Sequence, residues 1–325
     1  MNLRTEIFPK NLESKITHSS KVLSLGSCFS VNIGNKLDQN GIQISNNPLG
    51  TVFNPISLFN LLDVISKEKS LNEALFTSQQ DLWMHHDLHS QFVANSKTDF
   101  YLQFENVTTQ VSHDIKNSSH VIITLGSAYS YTHIESGKVV SNCHKVPQSK
   151  FKKELLSVQE IQDAFENISS LFSDKQIIFT LSPVRHTRDG LEENSLSKAT
   201  LKLAINEICQ VHKNAYYFPS FEIFMDDLRD YRFYKEDLIH PSTAGIDYVW
   251  EKFKTVVFDD KTVLLSEQVV KIKKTLQHKP FNPQAKEHLK FLKGTITKAE
   301  ELNKQVNLLD EISELQSRID EFRNS

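Results

Sequence analysis

The sequence predicts an α/β protein with a five-stranded parallel sheet covered by helices on both faces. Apolar runs typical of buried strands alternate along the chain with segments of helical period. The clearest run, His120–Leu125, reads Val-Ile-Ile-Thr-Leu after its first residue and is mostly β-branched, as in a central strand buried on both faces. Several of these strands end in polar or glycine-rich turns, which would meet at one edge of the sheet.

The first strand, about 21–26, runs through Gly26 into a helix of about 27–39. Apolar residues spaced by four, Phe29, Ile33 and Leu37, give this helix one buried face. Its first turn lies at the carboxyl end of a strand and the amino end of a helix, where open α/β sheets bind ligands and free N–H groups favour negative charge. Ser27 and Cys28 occupy this turn and indicate the nucleophile turn of a hydrolase-like enzyme.

Gly41 is a helix stop, and Ile42–Ile44 predicts a short second strand. Residues 46–55 are dense in Asn, Pro and Gly, which favours a turn. Because this loop follows a strand, it too would emerge at the carboxyl edge of the sheet. A helix is expected over 56–65.

Residues 78–103 are rich in aromatic residues and histidine. His85, His86 and His89 with Asp87 have spacings compatible with a metal site on a helix face. There is no H-E-x-x-H pattern, however, and the aromatic neighbours favour a packed lid or hairpin over the sheet. A helix is expected over 105–116.

After the central strand, residues 129–134 are expected to pair with 138–141 as a hairpin. This hairpin leads to Asn142, Cys143, His144 and Lys145. Neighbouring side chains on an extended chain point to opposite faces, so Cys143 and His144 are not expected to form a dyad. We expect one or two of the four to face the pocket.

A helix over 155–172 precedes the fourth strand, 176–181, which ends at residues 182–186. The next helix, about 195–212, is expected to be capped by Asn194 or Ser195 and to bury Cys209 as a structural thiol. The fifth strand is 215–218.

The second stretch whose residues could take part in catalysis contains Asp237 and His240, three residues apart and just before a helix. One turn at this spacing lets the carboxylate accept the Nδ1–H of the imidazole, which sets the tautomer and stabilises the imidazolium. The pair could also cap the following helix. Together with the turn at Ser27 and Cys28, it predicts a nucleophile with its base.

The tail differs from the rest, so we divide the chain into a domain over 1–258 and a helical extension over 259–325. Thr297 and Glu300 resemble a capping box. Apolar residues then recur every three or four positions up to Phe322 and predict one amphipathic helix of about 26 residues, about 39 Å long. This helix is expected either to form a coiled coil, as in a homodimer, or to fold back on the domain.

Composition narrows the function classes. The 325 residues include 37 basic and 40 acidic side chains, a formal charge of −3, which does not favour nucleic acid or a membrane as partner. Three cysteines and the lack of a long apolar run predict a cytoplasmic protein. No phosphate loop, dinucleotide fingerprint or metal motif is found, so we expect no cofactor.

Several stretches in order resemble the GSCFA family, which is related to the GDSL/SGNH hydrolases. Besides Gly26–Ser30, these are 47–50 with 54–55, 142–145, 182–186, Asn194 with 197–199, 217–222 and 237–242, and the likeness covers roughly 3–258. It implies a flavodoxin-like three-layer α/β/α fold. It also implies ester hydrolysis or acyl transfer, often on acylated sugars, so the expected partner is a small-molecule or carbohydrate ester.

Matched to the wider hydrolase pattern, the catalytic serine position holds Cys28, with Ser27 as the alternative if the turn is shifted by one. The base and its orienting acid match His240 and Asp237, and Gly50 matches the oxyanion glycine. The next block reads 126–129 as Gly-Ser-Ala-Tyr and lacks its Asn.

The missing oxyanion donor could come from Asn54, Asn142 or Ser127. His144, Lys145, Arg185 and His186 would suit an anionic group in the same crevice. A ligand-binding module that has lost catalysis, and that holds an acyl or glycan ligand there, is the alternative function.

Overall fold

The structure is a computed structural model that describes residues 5–278, 280–282 and 284–324. Its strands are β1 (Lys21–Gly26), β2 (Gln43–Thr51), β3 (Phe76–Gln79), β4 (Leu82–His85), β5 (His120–Leu125), β6 (Tyr129–His133), β7 (Lys138–Val140), β8 (Phe151–Leu155), β9 (Gln176–Leu181) and β10 (Ala215–Phe218). Its α-helices are α1 (Cys28–Gln39), α2 (Pro55–Ser66), α3 (Lys97–Asn117), α4 (Val158–Ser169), α5 (Leu191–Val211), α6 (Ser220–Glu222, continued by a π-helical turn over Ile223–Leu228), α7 (Thr243–Val257), α8 (Asp260–Gln277), α9 (Lys286–Leu302) and α10 (Leu309–Asn324).

The central sheet has five parallel strands in the order β10–β9–β5–β1–β2. Counted along the chain, these strands follow the doubly wound, flavodoxin-like order 2-1-3-4-5. The strand order reverses between β1 and β5, and such a switch point opens a crevice at the carboxyl ends of the strands. The predicted five-stranded α/β fold is confirmed.

Alternating side chains of the sheet build two separate cores. Leu23 and Leu25 of β1 belong to a cluster that includes buried residues of α2, α3, α4 and α5. Val22, which points to the other face of the pleat, belongs to a second cluster with α1 and α7. The sheet is therefore the middle of three layers, as predicted.

The prediction of a short strand over 42–44 followed by a loop is wrong, because β2 continues to Thr51. The register between β1 and β2 shifts at this point. Asn47 lies in the left-handed region at φ 51°, and its backbone N–H donates to Ser24 Oγ at 3.1 Å. Side-chain hydrogen bonds thus hold an irregular strand whose composition is typical of a turn.

Two helix starts also differ from the prediction. Helix α3 begins at Lys97, after the N-cap Ser96, rather than near 105. Helix α5 begins at Leu191 after Gly190. Asn194 and Ser195 therefore lie inside α5, and neither is its cap.

The predicted hairpins are present beside the central sheet. Strands β3 and β4 form one antiparallel pair, and β6 pairs with both β7 and β8. Within the described residues, no group of three or more His, Cys, Asp or Glu side chains is arranged to hold a metal ion.

The prediction of a single helix in the tail is wrong. The tail is divided there into α9 and α10. Thr297 lies inside α9, where its Oγ1 donates to Lys293 O at 3.1 Å. Most of the apolar stripe is buried within the chain, in a cluster of Leu265, Val269, Ile272, Leu292, Ala299, Leu302, Val306, Leu308, Leu315 and Ile319. The cluster reaches the first domain, since Val269 and Val306 pack around Gly41, just after α1. Among the helices described, none is both long and apolar enough to cross a membrane.

Candidate active site

Gly26 brings the end of β1 against β5. Its φ is 120°, and a Cβ added there would lie 2.1 Å from Thr124 O. The next residue, Ser27, donates its backbone N–H to the same carbonyl at 2.9 Å. The predicted nucleophile turn therefore lies at the β1–β5 switch point, held by contacts that only glycine allows.

The two candidate nucleophiles have different surroundings. Ser27 is the N-cap of α1: its Oγ accepts from Phe29 N at 3.2 Å, and the residue is 3% exposed. Cys28 is the first helical residue, partly exposed and a free thiol. A substrate can therefore reach Cys28 more readily than Ser27.

Cys28 experiences opposing influences on its ionisation. Burial raises the pKa of the thiol, whereas hydrogen bonds from backbone N–H groups and the positive charges of Lys198 and Lys235 lower it. The thiol is thus not strongly acidic in the resting protein. It needs a proton acceptor to react as a thiolate.

Asp237 and His240 form the predicted pair. Asp237 Oδ2 lies 2.7 Å from His240 Nδ1, and Oδ1 accepts from the backbone N–H groups of Ile239 and His240 at 2.9 Å each. These backbone hydrogen bonds, then that of the imidazole, hold the pKa of Asp237 well below its usual range. The carboxylate stays ionised and sets the imidazole tautomer that leaves Nε2 free to act as a base.

Arg185 supports the loop that carries this pair. Its guanidinium donates to Leu238 O through Nε, at 3.1 Å, and through Nη2. Leu238 lies in the left-handed region at φ 55°, a strained conformation for its side chain. The guanidinium also lies over the rings of Tyr231 and Tyr234. These contacts give Arg185 a role in holding the loop, whereas the sequence suggested that it binds an anion.

The loop and the nucleophile turn lie at the same edge of the sheet. Lys235, which acts electrostatically on Cys28, donates its backbone N–H to His240 O at 2.7 Å. Arg185, which holds the loop, follows β9 at the carboxyl edge where β1 ends at the turn.

Gly50 and Asn54 flank the end of β2. Gly50 has φ 68°, and a Cβ there would lie 2.7 Å from His89, so the segment after β4 covers this glycine. Asn54 caps α2 by accepting from Ser57 N at 3.1 Å. Its amide nitrogen donates to Tyr129 O at 3.0 Å and, more weakly, to Ser127 O at 3.4 Å. The fold therefore already uses the donors that the oxyanion role of Asn54 would need.

Ser127 and His186 lie at the ends of the next two strands. Ser127 is 5% exposed, and its Oγ accepts from Tyr129 N at 3.0 Å. The His186 ring packs against Phe53 with 4.9 Å between centroids, and its Nε2 lies 3.3 Å from where a Cβ of Gly126 would be. His186 thus lies beside the end of β5, and its predicted binding of an anionic group stays a prediction.

Asn142 and His144 belong to a different cluster. His144 is buried, and its Nε2 lies 2.9 Å from His85 O. Asn142 O lies 2.7 Å from His86 Nδ1. The rings of His86, His133 and His144 are neighbours, with centroid distances of 5.5–5.6 Å to His86. The structure therefore brings Asn142 and His144 together with histidines of the small sheets. The oxyanion role of Asn142 and the binding of an anionic group by His144 stay predictions.

Sequence reasoning missed Lys198 as a site residue. This side chain is 2% exposed, and its Nζ donates to Gly126 O at 2.6 Å and to Ser182 O at 2.8 Å. Its neighbour Ser197 accepts from Ala128 N at 2.8 Å. A lysine among the apolar positions of a helix was the available signal, and residues 197–199 were noted only for their resemblance to the family.

Comparison with known proteins agrees with the sequence resemblance. Residues 21–253 match the model of the GSCFA family, and residues 269–321 match that of the GSCFA domain protein, C-terminal domain. No curated protein matches the chain. One similar solved structure is a mutant of Axe2, an acetyl-xylooligosaccharide esterase from Geobacillus Stearmophilus, with a TM-score of 0.40 and 12% identity over 76% of this chain and 97% of that one.

Proposed function

Because this chain belongs to the GSCFA family, we propose that it is an ester hydrolase or acyltransferase with Cys28 as nucleophile, His240 as base and Asp237 as the group that orients the base. The observation that carries the proposal is the 2.7 Å contact between Asp237 Oδ2 and His240 Nδ1, at the sheet edge where Cys28 begins α1. The resemblance to the SGNH hydrolases adds acylated carbohydrates as the substrate class.

The proposed chemistry has two steps. His240 Nε2 takes the proton of the Cys28 thiol as sulfur attacks the acyl carbon, and the alcohol leaves with that proton as the ester C–O bond breaks. Water, or an acceptor hydroxyl, then attacks the thioester, and Cys28 leaves as the thiol. The amino end of α1 favours negative charge at the reacting atoms.

The surroundings of the turn support Cys28 over Ser27. The Ser27 hydroxyl is almost fully buried as an N-cap, whereas Cys28 is partly exposed. Labelling separates the two, because iodoacetamide modifies a thiol and a fluorophosphonate modifies an activated serine. We expect iodoacetamide to label Cys28 and to abolish turnover, and labelling of Ser27 by the fluorophosphonate would reassign the nucleophile.

One observation favours the alternative of a ligand-binding module. Burial raises the pKa of Cys28, so the resting thiol is a weak nucleophile at neutral pH. In that case the protein would bind an acylated sugar in the same crevice without turning it over.

Turnover of p-nitrophenyl acetate and of an acetylated monosaccharide tests the proposal. We expect Cys28→Ala and His240→Ala each to lower kcat on the order of 10³–10⁴-fold, with Asp237→Asn also strongly impaired because the imidazole tautomer is lost. His212→Ala is the matched control, since His212 Nε2 also pairs with a surface carboxylate, Glu166, at 2.6 Å.

Equal turnover by wild type and Cys28→Ala would refute the assigned nucleophile. No turnover together with calorimetric binding of the acetylated sugar would favour the binding module. We also propose a cytoplasmic setting, because three sparse cysteines in the sequence are typical of a reducing compartment.

A further inference from the structure

Lys198 is a buried amine whose two hydrogen-bond partners are backbone carbonyls. Gly126 and Ser182, which accept from its Nζ at 2.6 and 2.8 Å, directly follow β5 and β9. In the part of the chain that the structure describes, no carboxylate forms an ion pair with it. A buried lysine without an ion pair costs free energy, so its presence at this edge needs a reason other than stability.

The position of Lys198 relates it to Cys28. Gly26 is in register with Thr124, and Ser27 N donates to Thr124 O, so the nucleophile turn lies beside the end of β5. Gly126, one of the two carbonyls that hold Lys198, is two residues further on. The amine is therefore held at the end of the strand next to β1, close enough to the thiol to act on it electrostatically.

Positive charge acts on the thiol from two elements. Lys198 from α5 and Lys235 from the loop before His240 act on Cys28, and both favour its thiolate. Cys28 in turn favours the charged form of Lys198. The ring of Phe221 also lies near the amine, with Nζ 5.7 Å from the centroid.

The bonding of the amine suits both protonation states. A neutral amine has two N–H groups, which the carbonyls of Gly126 and Ser182 satisfy, and an ammonium has one more. Burial lowers the pKa of Lys198 to about 7, so both forms are populated near neutral pH.

We propose that Lys198 is a positioning residue of the candidate active site, which joins the ends of β5 and β9 and supplies positive charge that favours the Cys28 thiolate. The proposal rests on the proposed role of Cys28 as nucleophile. This electrostatic role would explain why a lysine is buried at the ends of β5 and β9.

The pH dependence of alkylation tests this role without any substrate. In the full-length protein, the rate at which iodoacetamide modifies Cys28 is followed by mass spectrometry of its peptide between pH 6 and 10. We expect Lys198→Met to lower the rate about three- to tenfold at pH 6, where Lys198 is mostly charged, and to change it little above pH 8, where the amine is mostly neutral. Lys202→Met is the control, because Lys202 lies one turn further along α5 and pairs with Glu222 instead.

A second measurement covers the case in which Lys198→Met does not fold. In protein with ¹³C-labelled lysine, the titration of Lys198 is followed by NMR in wild type and in Cys28→Asp, which places a carboxylate where the thiol lies. Because the interaction is reciprocal, this negative charge should raise the midpoint of Lys198. An unchanged Lys198 titration, or an unchanged Cys28 profile in folded Lys198→Met, would overturn the proposal.

The two proposals fail in different ways. A protein without turnover, in which Cys28 alkylation still depends on Lys198, would disprove the hydrolase and retain the electrostatic role. If turnover depends on Cys28 but the alkylation of Cys28 does not depend on Lys198, the hydrolase proposal stands and the electrostatic role of Lys198 is disproved.

Discussion

The absence of a side chain at residue 26 allows β1 to lie against β5 at the nucleophile turn. Gly26 has φ 120°, and a Cβ there would lie 2.1 Å from Thr124 O, a backbone atom that cannot move aside. The same carbonyl accepts from Ser27 N. The turn that presents Cys28 therefore depends on glycine for both its conformation and its packing.

We expect Gly26→Ala to lower the free energy of unfolding by roughly 2–4 kcal/mol, because it adds steric overlap to a strained φ. Urea unfolding measures this change. Gly137→Ala is the matched control: Gly137 also has a positive φ, 63°, but nothing lies within 4 Å of its Cβ position. Gly137→Ala should lower the free energy of unfolding by about 1–2 kcal/mol, because only the backbone conformation is unfavourable there. Equal losses in the two variants would contradict the steric argument.

The sequence identified single residues well where chemistry and spacing coincide. The spacing of Asp237 and His240 predicted the carboxylate–imidazole contact, which the structure shows at 2.7 Å. It could not reveal that Arg185 holds the loop, because Leu238 O becomes its partner only in the folded chain. Lys198 was overlooked for the same reason, since its two carbonyl partners lie 72 and 16 residues away.

Among the secondary-structure elements, the segment over 78–103 contains the end of β3, all of β4 and the start of α3. His85 and His86 lie on or next to β4, and both are buried. Burial is the largest influence on these groups and lowers the pKa of His85 to about 4 and that of His86 and His144 to a lesser degree. His85, His86 and His144 are therefore neutral imidazoles near pH 7.

This cluster predicts that the protein loses stability in acid. Because the folded-state pKa of His85 lies below its unfolded value of about 6.5, the unfolded chain binds more protons between pH 6.5 and 4. The stabilisation is present above pH 6.5 and is lost as the pH falls to about 4, up to about 3 kcal/mol for His85.

The difference in the free energy of unfolding between wild type and His85→Gln isolates the contribution of His85. This comparison is needed because burial raises the pKa of nearby Asp87 to about 7. The titration of Asp87 changes the stability in the opposite direction over the same pH range. We expect the difference in unfolding free energy to shrink as the pH falls from 7 to 4. The exposed His113 provides the control, and a pH-independent difference for His85→Gln would refute the assignment.

In the molecule as a whole, the extension is joined to the first domain by both apolar and charged contacts. Val269 and Val306 pack around Gly41, and Lys273 lies 3.5 Å from Asp38 of α1 and 3.2 Å from Glu311 of α10. The stripe predicted to form a coiled coil is largely used in this packing. A homodimer, which stays a prediction, would need another surface.

Val306→Asp should separate the extension from the first domain, since it places a charge in an apolar cluster where the side chain is 1% exposed. We expect a loss of several kcal/mol, on the order of 3–5, and faster proteolysis within 259–325. Gln305→Asp adds the same charge at the neighbouring exposed position and should change neither. Equal rates of proteolysis in the two variants would show that the packing at Val306 does not hold the extension against the first domain.

Local patterns in the sequence were enough to establish the α/β class, the order of the five central strands along the chain, and the pair of Asp237 and His240. These patterns are runs of apolar residues, glycine turns and a three-residue spacing. The folded chain was needed to establish that 46–51 remain in the sheet, that the tail divides into two helices, and that Lys198 lies at the switch point. Each of these depends on partners distant in sequence, such as Ser24 for Asn47, Gly41 for Val306 and Gly126 for Lys198. Spacing along one chain segment carries no information about them.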